Sequence, residues 1–212
     1  MPPFFPIFSI FIVFIIWFTY ERKKSDRLSK KNKDDFWQKE IDANNVRKQP
    51  LDTLDYITID DKMLINNLWS NHPDDTELVN LSETLSSLKE KRILNLTGMT
   101  STDIKLTYGV ANLNEVASYD DNFTTYCKTI YAYGQRLADL ENRDAAIFIL
   151  EAGIDSLTDI SGNYKLLAKL YIEKGTPEKI TNLIDKASQL DSLMKNSIIS
   201  ALKEMLPSVE LD

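Results

Sequence analysis

Two consecutive stretches decide the fold: CKTIYAYGQRLADLENRDAAIFILEAGIDSLTDI, residues 127–160, and SGNYKLLAKLYIEKGTPEKITNLIDKASQLDSLM, residues 161–194. A shift of 34 residues places large apolar residues on large ones and, except at Ile180, small residues on small ones. The aligned pairs are Ile130 with Tyr164, Tyr133 with Leu167, Gly134 with Ala168, Leu137 with Tyr171, Ala146 with Ile180, Leu150 with Ile184, and Gly153 with Ala187. Self-similarity at this period predicts stacked helical hairpins.

The period and the placement of small residues resemble the tetratricopeptide repeat, in which two helices of a hairpin cross closely at small side chains. The resemblance implies an all-α domain built from the two units and a terminal helix over Ser192 to Leu206, where a third unit begins at Lys195 and ends at Pro207. The chain departs from the family pattern because it lacks Trp at the first key position and Pro at the end of each unit, and because Ile180 replaces a small residue. A generic bundle of α-hairpins is the alternative.

In the tetratricopeptide family the first helix of each hairpin lines a concave groove. Carried onto this sequence, the resemblance implies a row of groove residues: Lys128, Tyr131, Gln135, Lys165, Lys169, Asn196 and Lys203. Lysines in such a row would attract an acidic or carboxylate-terminated peptide. The competing interpretation is that they form an ordinary solvated helix face.

The N-terminal 20 residues, MPPFFPIFSIFIVFIIWFTY, contain no Asp, Glu, Lys, Arg or His. As a helix rising about 1.5 Å per residue, the apolar run from Phe4 to Tyr20 would span about 25 Å, close to the thickness of a bilayer core. No basic residue precedes the run and Trp17 to Tyr20 closes it, so the pattern favours an uncleaved transmembrane anchor over a signal peptide. Residues 1–20 are therefore predicted to span a membrane.

The following segment, residues 21–33, carries a net charge of +5, whereas the chain from Asp34 onward carries −12. Lys and Arg beside a transmembrane helix are retained on the cytoplasmic side, which predicts a single-pass protein of the cell membrane with its C-terminal domain in the cytoplasm. The predicted membrane-interface residues are Trp17, Tyr20, Arg22, Lys23 and Lys24. This layout is similar to single-span membrane proteins of Gram-positive bacteria, a resemblance that implies no particular activity.

Between the anchor and the repeats, composition divides the chain into further regions. Residues 21–50 are predicted to be a basic juxtamembrane segment and a helical stalk that stops at Pro50. Residues 51–111 are predicted to be an extended segment followed by a helix from Pro73 to Arg92, with a short strand at 54–59 as an alternative to the extended form. Further helices are expected from Ser101 to Gly109 and from Asn112, where the repeat region 112–212 begins.

Residues typical of catalysis, cofactor binding and metal binding are scarce. His72 is the only histidine, Cys127 the only cysteine, and none of the six glycines lies in a phosphate-binding loop. The acidic pairs at 34–35, 60–61, 74–75 and 120–121 lack the spacing of a calcium loop, and at least two of them coincide with predicted helix starts. We therefore predict no cofactor and no metal, and a domain of charge −12 is a poor candidate for nucleic-acid binding.

Together these features predict a non-catalytic, membrane-tethered interaction platform whose partners are the bilayer and a protein, with an acidic peptide as the candidate ligand. Two other classes stay open: a membrane-bound enzyme using carboxylates, and a self-associating structural protein of the envelope. An enzyme would need a pocket of clustered carboxylates with shifted pKa values. Self-association has little support, because the stalk lacks a heptad repeat and the anchor lacks Gly-xxx-Gly.

Overall fold

The computed structural model describes residues 4–64, 72 and 74–206, with the side chains of the first helix described from Ile10 onward. Within these ranges the chain forms only helices and loops, which confirms the all-α prediction. The α-helices are α1 Phe4–Asn44, α2 Thr76–Lys89, α3 Ser101–Tyr108, α4 Leu113–Asp139, α5 Arg143–Asp155, α6 Ser161–Glu173, α7 Lys179–Ser188 and α8 Lys195–Met205. Short 3-10 helices occupy Asp61–Leu64 and Val110–Asn112.

None of the helices in the described part of the chain combines the length and the apolar character that crossing a membrane requires.

Chain contacts define two compact units, of which the first comprises Met1–Gln49 and Ser101–Asn112. Here the C-terminal turns of α1 pack against α3. Lys39 Nζ lies 2.7 Å from the Asp103 carboxylate, and the Glu40 carboxylate accepts hydrogen bonds from the Lys105 ammonium and from Thr102 Oγ1. These bonds to Lys105 and Thr102 hold the pKa of Glu40 below its ordinary value.

The predicted stalk ends earlier than expected, since α1 stops at Asn44 and not at Pro50. Ala43 is fully buried, and the chain beyond it runs in a non-helical path along the end of α3. Gln49 N donates to Tyr108 O at 3.1 Å, a tertiary contact that competes with continued helix. The stalk is therefore fastened to α3, a long-range contact that its sequence does not indicate.

The helix start predicted at Asn112 is confirmed, since α4 begins at the next residue, Leu113, and Asn112 itself is the last residue of a 3-10 turn. Its side-chain amide donates to Gln49 O at 2.7 Å and to Tyr108 O at 2.8 Å. The side chain is thus bound to backbone that precedes it, and α4 begins one residue later.

The second unit comprises Pro50–Thr100 and Leu113–Asp212. Residues 55–60 form no regular secondary structure, so the predicted strand at 54–59 is absent from the described residues, whereas residues 52–54 form a turn and Asp61–Leu64 a 3-10 helix that the extended prediction does not include. Residues 65–71 lie outside the described residues. Ile57 N donates to Ile93 O at 3.0 Å, and Ile59 and Met63 are buried in the core. The segment therefore packs on the helices instead of hanging free.

Helix α2 begins at Thr76, with the Asp75 side chain accepting from the backbone N–H groups of Glu77 and Leu78. Pro73, at which the helix was predicted to start, lies outside the described residues. The apolar stripe of α2 packs against α4 through buried Leu78 and Leu85. Asp75 also joins the two helices, because its Oδ2 accepts from Arg136 Nε at 3.0 Å.

The helices α4 to α8 pack in chain order, each against the next. Contacts also join every second helix: α4 with α6, α6 with α8, and α5 with α7. This arrangement makes two neighbouring rows, one of α4, α6 and α8 and the other of α5 and α7. Helix α4, with 27 residues, extends well beyond the predicted first repeat unit, which begins at Cys127.

Candidate protein-binding face

The repeat-defining positions form the core of the α4–α8 array. Of the fourteen aligned residues, thirteen are buried and Ile184 is partly buried. Gly134 lies so close to α5 that a Cβ would fall 2.5 Å from Leu150 Cδ2, and a Cβ on Gly153 would fall 3.0 Å from Ile130 Cγ2. The small residues of the pattern therefore mark the places where helices cross most closely.

The residues predicted to line the groove lie on the α4, α6, α8 row. Six of them are exposed: Lys128, Gln135, Lys165, Lys169, Asn196 and Lys203. The seventh, Tyr131, is partly buried because its ring lies against Gly162 on α6. Lys165 and Lys169 are one helical turn apart on α6, and exposed Ile172 follows them. The face thus combines ammonium groups with apolar side chains.

The lysines of this face differ from those of the other row in their ion pairing. Among the described residues, Lys128, Lys165 and Lys203 form no ion pair, and Lys169 lies 3.7 Å from Glu173. Lysines around α7 are matched by carboxylates of α5, with Lys179 3.6 Å from Glu151 and Lys186 3.0 Å from Asp155. Within the described part of the chain, both lysines of α7 are therefore neutralised by carboxylates, whereas Lys128, Lys165 and Lys203 keep their charge available.

A cleft of about 260 Å³ lies among α5, α6 and α7 and has no counterpart in the sequence-based predictions. Tyr171 Oη donates to Glu151 Oε1 at 2.6 Å, and Lys179 Nζ stands 5.0 Å from the centre of the Tyr171 ring. Burial, followed by the contact with Glu151, raises the pKa of the Tyr171 hydroxyl. The polar groups of the cleft bind one another, so its charges are already compensated.

The loop from Leu94 to Thr100 contacts the α5–α6 turn and the α7–α8 turn. Asn95 Nδ2 donates to Ser156 O at 3.0 Å in the α5–α6 turn, and Gly98, with φ +90°, lies against Asp191 in the α7–α8 turn. Leu96 N donates to Asp120 Oδ1 at 3.2 Å, which anchors the loop to α4. The loop thus links the α5–α6 turn to the α7–α8 turn, and no pattern in the sequence indicates this contact.

Cys127 is buried in the core, as its position on an apolar face suggests. Burial raises the pKa of its thiol to about 12, so the thiol is protonated at neutral pH. Within the described residues, no group of three or more His, Cys, Asp and Glu side chains is placed to hold a metal ion. Burial also raises the pKa of the Asp120 carboxyl, whose oxygen accepts from Leu96 N.

The predicted membrane-interface residues, Trp17, Tyr20, Arg22, Lys23 and Lys24, are all exposed on α1. The Phe14 ring stacks on Phe18 at 6.1 Å between ring centres and also contacts Trp17. Exposed apolar side chains continue along α1 from Ile10 to Phe18. Among the residues that the structure describes, none covers this stretch of the helix.

Comparison of the chain with protein-family models, with curated proteins and with solved structures finds no match.

Proposed function

We propose that this protein is a membrane-tethered helical-repeat platform that binds a protein partner at the cytoplasmic face of the membrane. The observation that carries the proposal is a row of lysines, Lys128, Lys165 and Lys203, that form no ion pair with any residue the structure describes, on a domain that is acidic overall. An unpaired ammonium row attracts carboxylates and steers their approach. The ligand it fits best is an acidic peptide segment.

Apolar groups beside the lysines favour a peptide ligand that also carries apolar side chains. Tyr131 and Ile172 lie on the same row of helices as Lys165, and Ile172 is 42% exposed. Charge alone gives speed and selectivity of encounter more than affinity, whereas buried apolar anchors supply most of the binding energy. An acidic peptide with a few aromatic or aliphatic residues would satisfy both groups of side chains.

The tether in this proposal is the apolar run of residues 4–20, and it rests on the sequence together with the exposure of Ile10 to Phe18. Apolar side chains in such number favour a bilayer as their environment. The basic flank that follows supports the cytoplasmic orientation. Confinement to a membrane raises the effective concentration of a partner in the same layer, so modest affinity suffices.

The unbroken course of α1 supports a fixed spacing between the membrane and α3. Twenty residues separate Tyr20 from Glu40, which at about 1.5 Å per residue amounts to about 30 Å along the helix. The bonds of Glu40 to Lys105 and Thr102 fasten the far end. In this proposal α1 acts as a spacer as well as an anchor.

The partner-binding face can be tested by photocrosslinking in native membranes. A photoreactive residue at Gln135 should capture a partner, whereas the same residue at Asn182, on the row of α5 and α7, should not. Capture from Gln135 should fall strongly with Lys128→Glu/Lys165→Glu. It should persist with Lys62→Glu/Lys91→Glu, which makes the same charge change at exposed lysines off the α4, α6, α8 row.

Equal capture from Gln135 and Asn182, or equal loss with both charge-reversal pairs, would contradict the proposed face. The tether is tested separately, since an anchored chain stays in the pellet after alkaline carbonate extraction. A tag at the C-terminus should be digested by protease in inverted vesicles and protected in intact cells. Protein released by carbonate would refute the anchor without bearing on the groove.

A further inference from the structure

Five residues of α1 immediately after the apolar run share one side of the helix. At 100° per residue, Tyr20, Lys23, Lys24, Arg27 and Leu28 fall within an arc of about 140°. Lys31 lies in the same arc one turn further on. Since α1 is continuous through these residues, the helical arrangement is not interrupted by a bend or a loop.

The opposite side of the helix has a different charge pattern. Arg22, Lys33 and the acidic Asp26 lie there, whereas Glu21 lies at the edge of the side that carries Lys23, Lys24 and Arg27. The one ion pair that the structure gives this face joins Lys24 Nζ to Glu21 at 3.8 Å, and both side chains are at least half exposed. Among the described residues, Lys23 and Arg27 form no ion pair, so two full positive charges face outward together.

The five side chains also enclose a shallow cleft of about 290 Å³. Lys23, Lys24 and Arg27 bring ammonium and guanidinium donors to it, and Tyr20 and Leu28 bring apolar surface. Arginine is suited to bidentate phosphate contacts, and lysine adds a mobile point charge. A phosphate group attached to an apolar tail would satisfy both kinds of surface at once.

We propose that this face of α1 is a binding site for the phosphate of an anionic phospholipid. The inference rests on the proposed anchor, because only an inserted helix brings Tyr20 to the level of the head groups. Basic residues near an anionic surface attract anionic lipid, so the one-sided cluster of Lys23, Lys24 and Arg27 enriches anionic lipid next to that side. Membrane orientation depends on the number of basic residues in the flank and not on the side of the helix that carries them. A binding site on one side is therefore a separate property.

Quenching of tryptophan fluorescence by brominated lipids tests the site in the full chain. With Trp37→Phe and Trp69→Phe, Trp17 is the only tryptophan, can be excited selectively at wavelengths that tyrosine does not absorb, and lies one turn before Tyr20. The protein is reconstituted in vesicles of phosphatidylcholine with a minority of phosphatidylglycerol, and either lipid is supplied in brominated form at equal amount. Quenching by brominated phosphatidylglycerol should exceed that by brominated phosphatidylcholine by about twofold.

Matched variants distinguish an effect of this face from an effect of the basic segment as a whole. Lys23→Gln/Arg27→Gln should make the two lipids quench equally, whereas Arg22→Gln/Lys33→Gln removes the same charge from the opposite side and should retain the preference. Equal quenching in the parent protein, or equal loss in both variants, would overturn a site on this face. A preference abolished by inorganic phosphate but not by chloride at the same ionic strength would assign the site to free phosphate and overturn the lipid assignment.

Absence of quenching by either lipid would instead refute the anchor, and with it the lipid site that depends on it. The outcomes therefore distinguish failure of the tether from failure of lipid selection.

Discussion

Tyr131 on α4 lies across Gly162 on α6, so closely that a Cβ on Gly162 would fall 2.6 Å from Tyr131 Cζ. The contact joins the exposed face of α4 to the start of α6. Gly162 lies in the first turn of α6, and because it has no side chain the Tyr131 ring can occupy the space beside it.

Gly162→Ala should displace the Tyr131 ring while changing stability little. Alanine favours helix over glycine by roughly 0.5–1 kcal/mol, which offsets part of the cost of moving the ring. The expected result is a free energy of unfolding within about 1 kcal/mol of the parent, together with weaker crosslinking from Gln135. Denaturant unfolding and the crosslinking yield measure the two effects, and Gly175→Ala, at a glycine with φ +77° and no neighbour within 4 Å, is the comparison for backbone strain alone. Unchanged crosslinking would show that the ring position does not matter for binding.

The extent to which sequence predicted this fold depends on the distance over which each contact acts. The 34-residue pattern marked residues that lie in the packed core of α4 to α7, because hairpin packing joins residues close in the chain, while the repeat family itself stays a prediction. It could not locate the bond from Asn95 to Ser156 or the packing of α1 on α3, which join residues about 60 positions apart and have no periodic signature. The same limit applies to the candidate face, since exposed lysines could be named from sequence but their lack of ion pairs required the positions of the carboxylates.

Gly134→Ala should destabilise the packing of α4 on α5 and so lower the stability of the compact unit that contains both helices. A methyl group there would fall 2.5 Å from Leu150 Cδ2, inside the closest approach of carbon atoms. Overpacking of this kind costs about 1–3 kcal/mol, more than the helix propensity that alanine adds. Urea unfolding should show a lower midpoint, and Gly134→Ala/Leu150→Val should recover part of the loss because valine lacks Cδ2, one of the two Leu150 carbons that the new Cβ would approach to 2.5 Å. A stabilising effect of Gly134→Ala alone would mean that the two helices separate without cost.

Asp75→Asn should reduce stability at neutral pH but not in acid. Asparagine keeps the helix cap and loses only the charged contact with Arg136, which is the main reason that the pKa of Asp75 lies below its ordinary value. A lowered folded-state pKa stabilises above the unfolded pKa of about 3.9, and the contribution is lost as pH falls through the folded value. Unfolding midpoints of the two proteins should therefore differ near pH 7 and converge by about pH 2. Asp74→Asn, at the exposed neighbouring residue, is the control for loss of a carboxylate that does not contact Arg136.

Cys127 should resist thiol reagents in the folded protein and react fully after denaturation. The thiol is buried on α4, and burial raises its pKa to about 12, so both access and ionisation oppose attack at neutral pH. We expect labelling by a disulfide reagent to be slower than in denaturant by about 100-fold or more. Because this is the single cysteine, the rate reports opening of one place in the core, and Gly134→Ala should increase it by lowering the cost of that opening. Fast labelling in the stable parent protein would instead mean that the middle of α4 opens locally while the array stays folded, and the candidate face on the same helix would then be mobile before any partner binds.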